Sequence, residues 1–158
     1  MAQRSDTVSI AYIGFQPIMY APADMARLAG RFFPLSDRIE GGAGEAFDFG
    51  DWFANWRIQL GIDGNQPMPT HLKVEAADAF EALIPWEQLE HAAIQFAMDG
   101  GPLPKGGPIR LYVPNGSSEC LNVKSVVVFR FLLEEGRRGE VSYGFKQTFS
   151  PDDMRLRR

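Results

Sequence analysis

"GGPIRLYVPNGSSECLNVKSVVVFRFLL", Gly106–Leu133, is the stretch whose reading decides the fold. Ile109, Leu111 and Val113 alternate with Arg110 and Tyr112. A period of two places successive side chains on opposite faces of a strand, so one face is apolar and the other presents a cation and a phenol. Gly107-Pro108 ahead of it lets a strand begin without a competing helix. After a polar loop that carries the only cysteine, Cys120, the chain runs from Val123 to Leu133 apolar on both faces over most of its length. That is the pattern of a central strand.

Working outward, the charged turn Glu134–Gly139 leads to an expected final strand over Val141–Phe149 and to an exposed basic tail over residues 150–158, with Arg155, Arg157 and Arg158. Upstream, Asp99-Gly100-Gly101 is a turn signal that closes a strand expected from about Ile94. Pro85 and Trp86 are expected to begin a short helix with Leu89 and Ala93 on its inner side, which leaves His91 in solvent. His71–Ala77 reads as a strand, and Asp78–Ile84 continues extended up to Pro85. Trp52, Phe53 and Trp56 have the spacing of a helical turn anchored on the core. "LSDRIEGGAGEAFDFGD", residues 35–51, has no periodicity and reads as a long loop. Pro22-Ala-Asp24 opens a helix over Asp24–Ala29 that ends at Gly30, and Thr7–Gly14 is apolar and β-prone. Several strands with segregated short helices describe a single α+β domain, residues 1–158, on a mixed or antiparallel sheet.

The chain has 158 residues, 45% of them hydrophobic and 23% charged, which suits one globular unit with its own core. A formal net charge of −4 argues against coating nucleic acid, because that task needs a basic surface to displace counterions. A lone cysteine forms no intrachain disulfide, and no run of about 18 apolar residues signals a membrane span. The expectation is a cytoplasmic protein with neither membrane nor nucleic acid as partner. His71 and His91 have no cysteine or acid at metal-ligand spacing. Gly41-Gly-Ala-Gly44 lacks the lysine and helix of a phosphate loop.

The order of short motifs over residues 70–132 resembles the molybdopterin-binding domain of the sulfite-oxidase-like oxidoreductases. The matching residues are Asp99-Gly-Gly-Pro-Leu-Pro104, Gly107-Pro-Ile-Arg-Leu111, Val113-Pro114 and Asn122-Val-Lys124, preceded by an acidic-Ala-aromatic turn, Asp78-Ala79-Phe80. The resemblance implies that fold and a molybdopterin-type cofactor, with Asn122 and Lys124 beside the pterin and its phosphate, and Arg110 at the position of a family arginine. Independently of it, an arginine and a lysine on neighbouring strands are suited to converge on an anion. The same two cations read equally well as a solvated surface pair.

The chain departs from the family where the molybdenum-ligating thiolate belongs. The corresponding stretch, Ile39–Gly44, has no cysteine. Cys120 reads first as a small, partly buried loop residue. A relocated metal ligand, or a reactive thiol lowered in pKa by Lys124, are its other readings. The expected function is a shortened molybdopterin-binding-like protein that binds a pterin-like or other small anionic molecule through Arg110, Asn122 and Lys124 without molybdenum–cysteine catalysis. Two alternatives stand beside it: an oxidoreductase with an atypical metal ligand, and a structural or interaction protein whose ancestral pocket has closed.

Overall fold

The computed structural model describes residues 6–146. The basic tail and the last residues of the expected final strand lie outside the described residues. Within them, strands β1 (Val8–Ala11) and β2 (Ile18–Tyr20) precede helix α1 (Pro22–Ala29). Short strands β3 (Phe33–Pro34) and β4 (Glu45–Asp48) lead into helix α2 (Phe49–Leu60). The rest is strand: β5 (His71–Ala76), β6 (Phe80–Pro85), β7 (Ala93–Ala97), β8 (Ile109–Tyr112), β9 (Val123–Leu132) and β10 (Ser142–Phe145).

All these strands join one sheet in the order β10-β6-β5-β9-β8-β7-β4-β3, with β1 on β9 and β2 on β1. Every pairing is antiparallel except β1 with β9. The expected α+β class is therefore what the molecule shows: two helices and a mostly antiparallel sheet.

Strand β9 is the hub. One edge pairs with β5, while the other meets β8 through Val123 and Val126 and β1 through Val128–Arg130. The change of partner is accommodated by a bulge. Ser125 adopts φ 53°, donates its N–H to the Gly106 carbonyl at 2.8 Å and accepts from the Ala77 N–H at 2.9 Å. A bulge of this kind adds an unpaired residue and re-aims the side chains beside it. Here those are Lys124 on β9 and Arg110 on β8.

Helix α2 covers one face of the sheet. Asp48 caps it, its carboxylate accepting from the Asp51 N–H at 2.7 Å, and Gly61 at φ 76° closes it in the left-handed region. Trp52 and Trp56 are fully buried, stacked 5.5 Å apart, and Phe53 and Trp56 meet Phe131 of β9 at 4.9 and 5.6 Å. Each aromatic ring so buried contributes roughly 1.5–3 kcal/mol relative to exposure. The expected core role of the two tryptophans holds.

Two expected segments are corrected. The stretch at 35–51 is not one long loop: it contains β4, whose Ala46 and Phe47 are buried, and the start of α2. Its glycines hid the cap at Asp48. The segment after Pro85 is a 3-10 turn, Trp86–Leu89, and Ala93 belongs to β7 rather than to a helix. His91 is exposed as expected, but at φ 66° in the tight link between the two. Finally, β2 occupies a stretch for which the sequence carried no strand signal. Among the described residues, no helix is long and apolar enough to cross a membrane.

Candidate functional site

The β8–β9 connection and the β5–β6 turn approach one another and leave a cleft of about 210 Å³ between them. Arg110, Asn122 and Lys124, singled out from sequence, all line it, and so does Cys120. The opposite wall comes from Asp78 and Phe80 beyond the β5–β6 turn and from Phe145 on the edge strand β10. Tyr112, Leu111 and Val123 complete it. Phe80 and Phe145 touch edge to face, with ring centroids 5.2 Å apart.

Each polar residue is held differently. The Arg110 guanidinium lies 5.7 Å from the Tyr112 ring, and its stem runs against Gly106. Gly106 has φ 76°, a left-handed conformation that favours glycine, and a Cβ there would stand 2.9 Å from the arginine Cδ and push that side chain aside. Lys124 is exposed at the bulge. Among the described residues, neither cation has an ion-pair partner. Asn122 accepts from the Val113 N–H through Oδ1 at 2.7 Å, which pins the connection between the strands. One lone pair of its carbonyl is therefore committed to the fold, and its two amide N–H donors are the groups suited to an anion.

Cys120 is exposed, not partly buried as expected. It sits in the 3-10 turn Glu119–Leu121, where the Ser118 hydroxyl accepts from its N–H at 3.0 Å and Leu121 takes the buried position. Asp78 uses Oδ1 to accept from the Phe80 N–H at 3.2 Å, fixing the turn that brings Phe80 to the cleft. Sequence reasoning missed Tyr112 and Phe145 as wall residues. Tyr112 was visible as the polar-face neighbour of Arg110, whereas Phe145 reaches the site only because β10 pairs with β6.

A molybdopterin-type cofactor, implied by the resemblance, fits this cleft poorly. Pockets that enclose a drug-sized ligand begin at roughly 300 Å³, above the volume found here. Ile39–Gly44, where the thiolate would belong, lies outside the residues that line the cleft, next to β4 and the end of β7. There Gln95 donates to the Ala43 carbonyl at 2.6 Å, and a Cβ on Gly44 would collide with the Ala97 carbonyl at 2.5 Å. Among the described residues, no group of three or more histidine, cysteine and acidic side chains is placed to hold a metal ion.

A second charged region lies on the open face of the sheet. Arg130 of β9 donates to Glu75 of β5 at 2.7 Å, Lys146 reaches Glu75 at 3.4 Å and Glu81 at 3.2 Å, and Lys73 reaches Glu81 at 3.5 Å. Burial raises the pKa of the Glu75 carboxyl, but hydrogen bonds and charge from Arg130 and Lys146 outweigh it and hold the group below its usual range. Lys146 is shifted up by its hydrogen bond to Glu81 and by the charge of Glu75. The depression among these residues holds about 460 Å³.

No family model and no curated protein matches the chain.

Proposed function

We propose that the protein binds a small anionic molecule in the cleft between the β8–β9 connection and the β5–β6 turn. What supports this reading is the pair of cations, Arg110 and Lys124, that line one largely apolar cleft and, among the described residues, form no ion pair, although Asp78 also lines it. Such an arrangement is ready for an incoming anion, because no internal pair has to be broken first. The guanidinium offers a planar fork and the ammonium a mobile point charge, while the Asn122 amide supplies a further donor.

The proposal extends to ancestry. We place the chain beside the sulfite-oxidase-like molybdopterin-binding domains on the motif order over residues 70–132, as a relative that keeps an anion cleft and performs no molybdenum–cysteine chemistry. Metal analysis of protein purified from a molybdenum-replete host tests that half, and stoichiometric molybdenum would overturn it. The anion half is tested by titrating the protein with inorganic phosphate, alone and with Arg110→Gln or Lys124→Gln. Each substitution is expected to weaken binding about tenfold, the equivalent of about 1.4 kcal/mol. Affinity unchanged in both variants would locate phosphate elsewhere and sink the reading.

A further inference from the structure

The two cations account for only part of the cleft. Three aromatic rings from three different strands also line it: Phe80 on β6, Tyr112 on β8 and Phe145 on β10. Phe145 is 67% exposed, so most of its ring is open to an incoming group. The Phe80 ring presents its edge or face to Phe145 and is otherwise only half-buried. A hydrated inorganic anion gains nothing from these walls, since its oxygens need donors and apolar rings supply none.

Charge and volume narrow the ligand further. Arg110 and Lys124 against Asp78 leave the cleft with one net positive charge, which favours a ligand bearing a single anionic group over a polyphosphate. The volume of about 210 Å³ admits one ring with a short substituent. Pockets for larger, multi-ring ligands start at roughly 300 Å³. The cations stand on β8 and at the β9 bulge, whereas Phe80 and Phe145 stand across the cleft. A ligand that uses both walls must therefore be apolar at one end and anionic at the other.

Resting on the anion-binding reading above, we infer that the occupant is a single-ring aromatic anion, an aryl phosphate or aryl carboxylate, with its ring against Phe80 and Phe145 and its anionic group on Arg110 and Lys124. Aromatic contacts prefer edge-to-face or offset arrangements, and the Phe80–Phe145 pair already offers both an edge and a face to a third ring.

The test compares inorganic phosphate, phenyl phosphate and 1-naphthyl phosphate on the full chain by calorimetric titration. Phenyl phosphate is expected to bind about tenfold more tightly than inorganic phosphate, and naphthyl phosphate no more tightly than phenyl. In Phe145→Ala the ratio of phenyl phosphate to phosphate affinity is expected to fall towards one; a tenfold ratio retained in this variant overturns the assignment of the ring. Phosphate and phenyl phosphate binding equally well to the unaltered protein overturns the inference and leaves the anion reading standing. Tighter binding of the naphthyl compound overturns the single-ring limit. Failure of all three to bind removes the anion reading itself, and this inference with it.

Discussion

The two ends of β9 carry cations under opposite circumstances. Towards its C-terminus, Arg130 is locked to Glu75 and belongs to a chain of pairs that runs through Lys146 and Glu81 to Lys73. At its N-terminus, Lys124 faces a cleft together with Arg110, and neither forms an ion pair among the described residues. The depression around Arg130 is the larger, about 460 Å³ against about 210 Å³. Size is thus not what distinguishes the two regions. A ligand at the Arg130 end would have to separate carboxylates from cations that already satisfy them, while a ligand at the Lys124 end displaces only water. Unmatched charge, more than volume, marks the candidate site.

Both ends of β9 rest on one platform packed against α2, and loss of its anchor carries the largest expected effect. Phe131 is 2% exposed and meets Phe53 and Trp56. Phe131→Ala is expected to cost about 3–5 kcal/mol in urea unfolding, from lost burial plus the cavity left behind. A loss under about 1 kcal/mol would mean that α2 does not anchor the strand, and the rest of the comparison would fail with it.

Next in size is a contrast between two substitutions on the same strand. Arg130→Gln strips the nearest cation from Glu75, whose side chain is only 14% exposed, and is expected to destabilise by about 1 kcal/mol. Lys124→Gln removes a charge that pairs with nothing in the described protein and is expected to stay within about 0.5 kcal/mol of the unaltered chain. Equal losses at the two positions, measured side by side by chemical denaturation, would erase the distinction on which the site assignment rests.

How far these regions could be read from sequence differs in the same way. The alternation through Ile109–Val113 and the apolar run after Val123 placed β8 and β9 correctly, because a buried face enforces its own period. That placement sufficed to bring Arg110, Asn122 and Lys124 to one cleft. The cleft's other wall was not legible. Phe145 arrives through the pairing of β10 with β6, a contact between strands far apart in the chain that no local pattern encodes. The open-face network was equally invisible, since it depends on register: Lys73 stands opposite Arg130 and Glu75 opposite Glu81, and the bonds that form run diagonally between them. Strand β4 escaped for a different reason. Only Ala46 and Phe47 of its four residues are buried, and the glycines around it resemble a loop.

The smallest expected effect concerns acid. Burial disfavours the Glu75 carboxylate, but Arg130 and Lys146 favour it more, so its folded-state pKa lies below the ordinary value of a glutamate carboxyl. A depressed carboxyl contributes stability that is fully present above the unfolded-state pKa and is lost as pH falls through the folded one. The unaltered protein should therefore lose this contribution from about pH 4.5 downwards, whereas Glu75→Gln has nothing there to titrate. Because Arg130 and Lys146 are about half exposed, solvent screens the pairs, and the difference between the two acid limbs is expected to be roughly 0.5 kcal/mol. Thermal unfolding followed from pH 7 to pH 3 should show the two curves converging as the medium becomes more acidic. Parallel curves would mean that the Arg130 end is no better matched in solution than the Lys124 end. The lack of an ion pair at Lys124 among the described residues would then cease to single out a binding site.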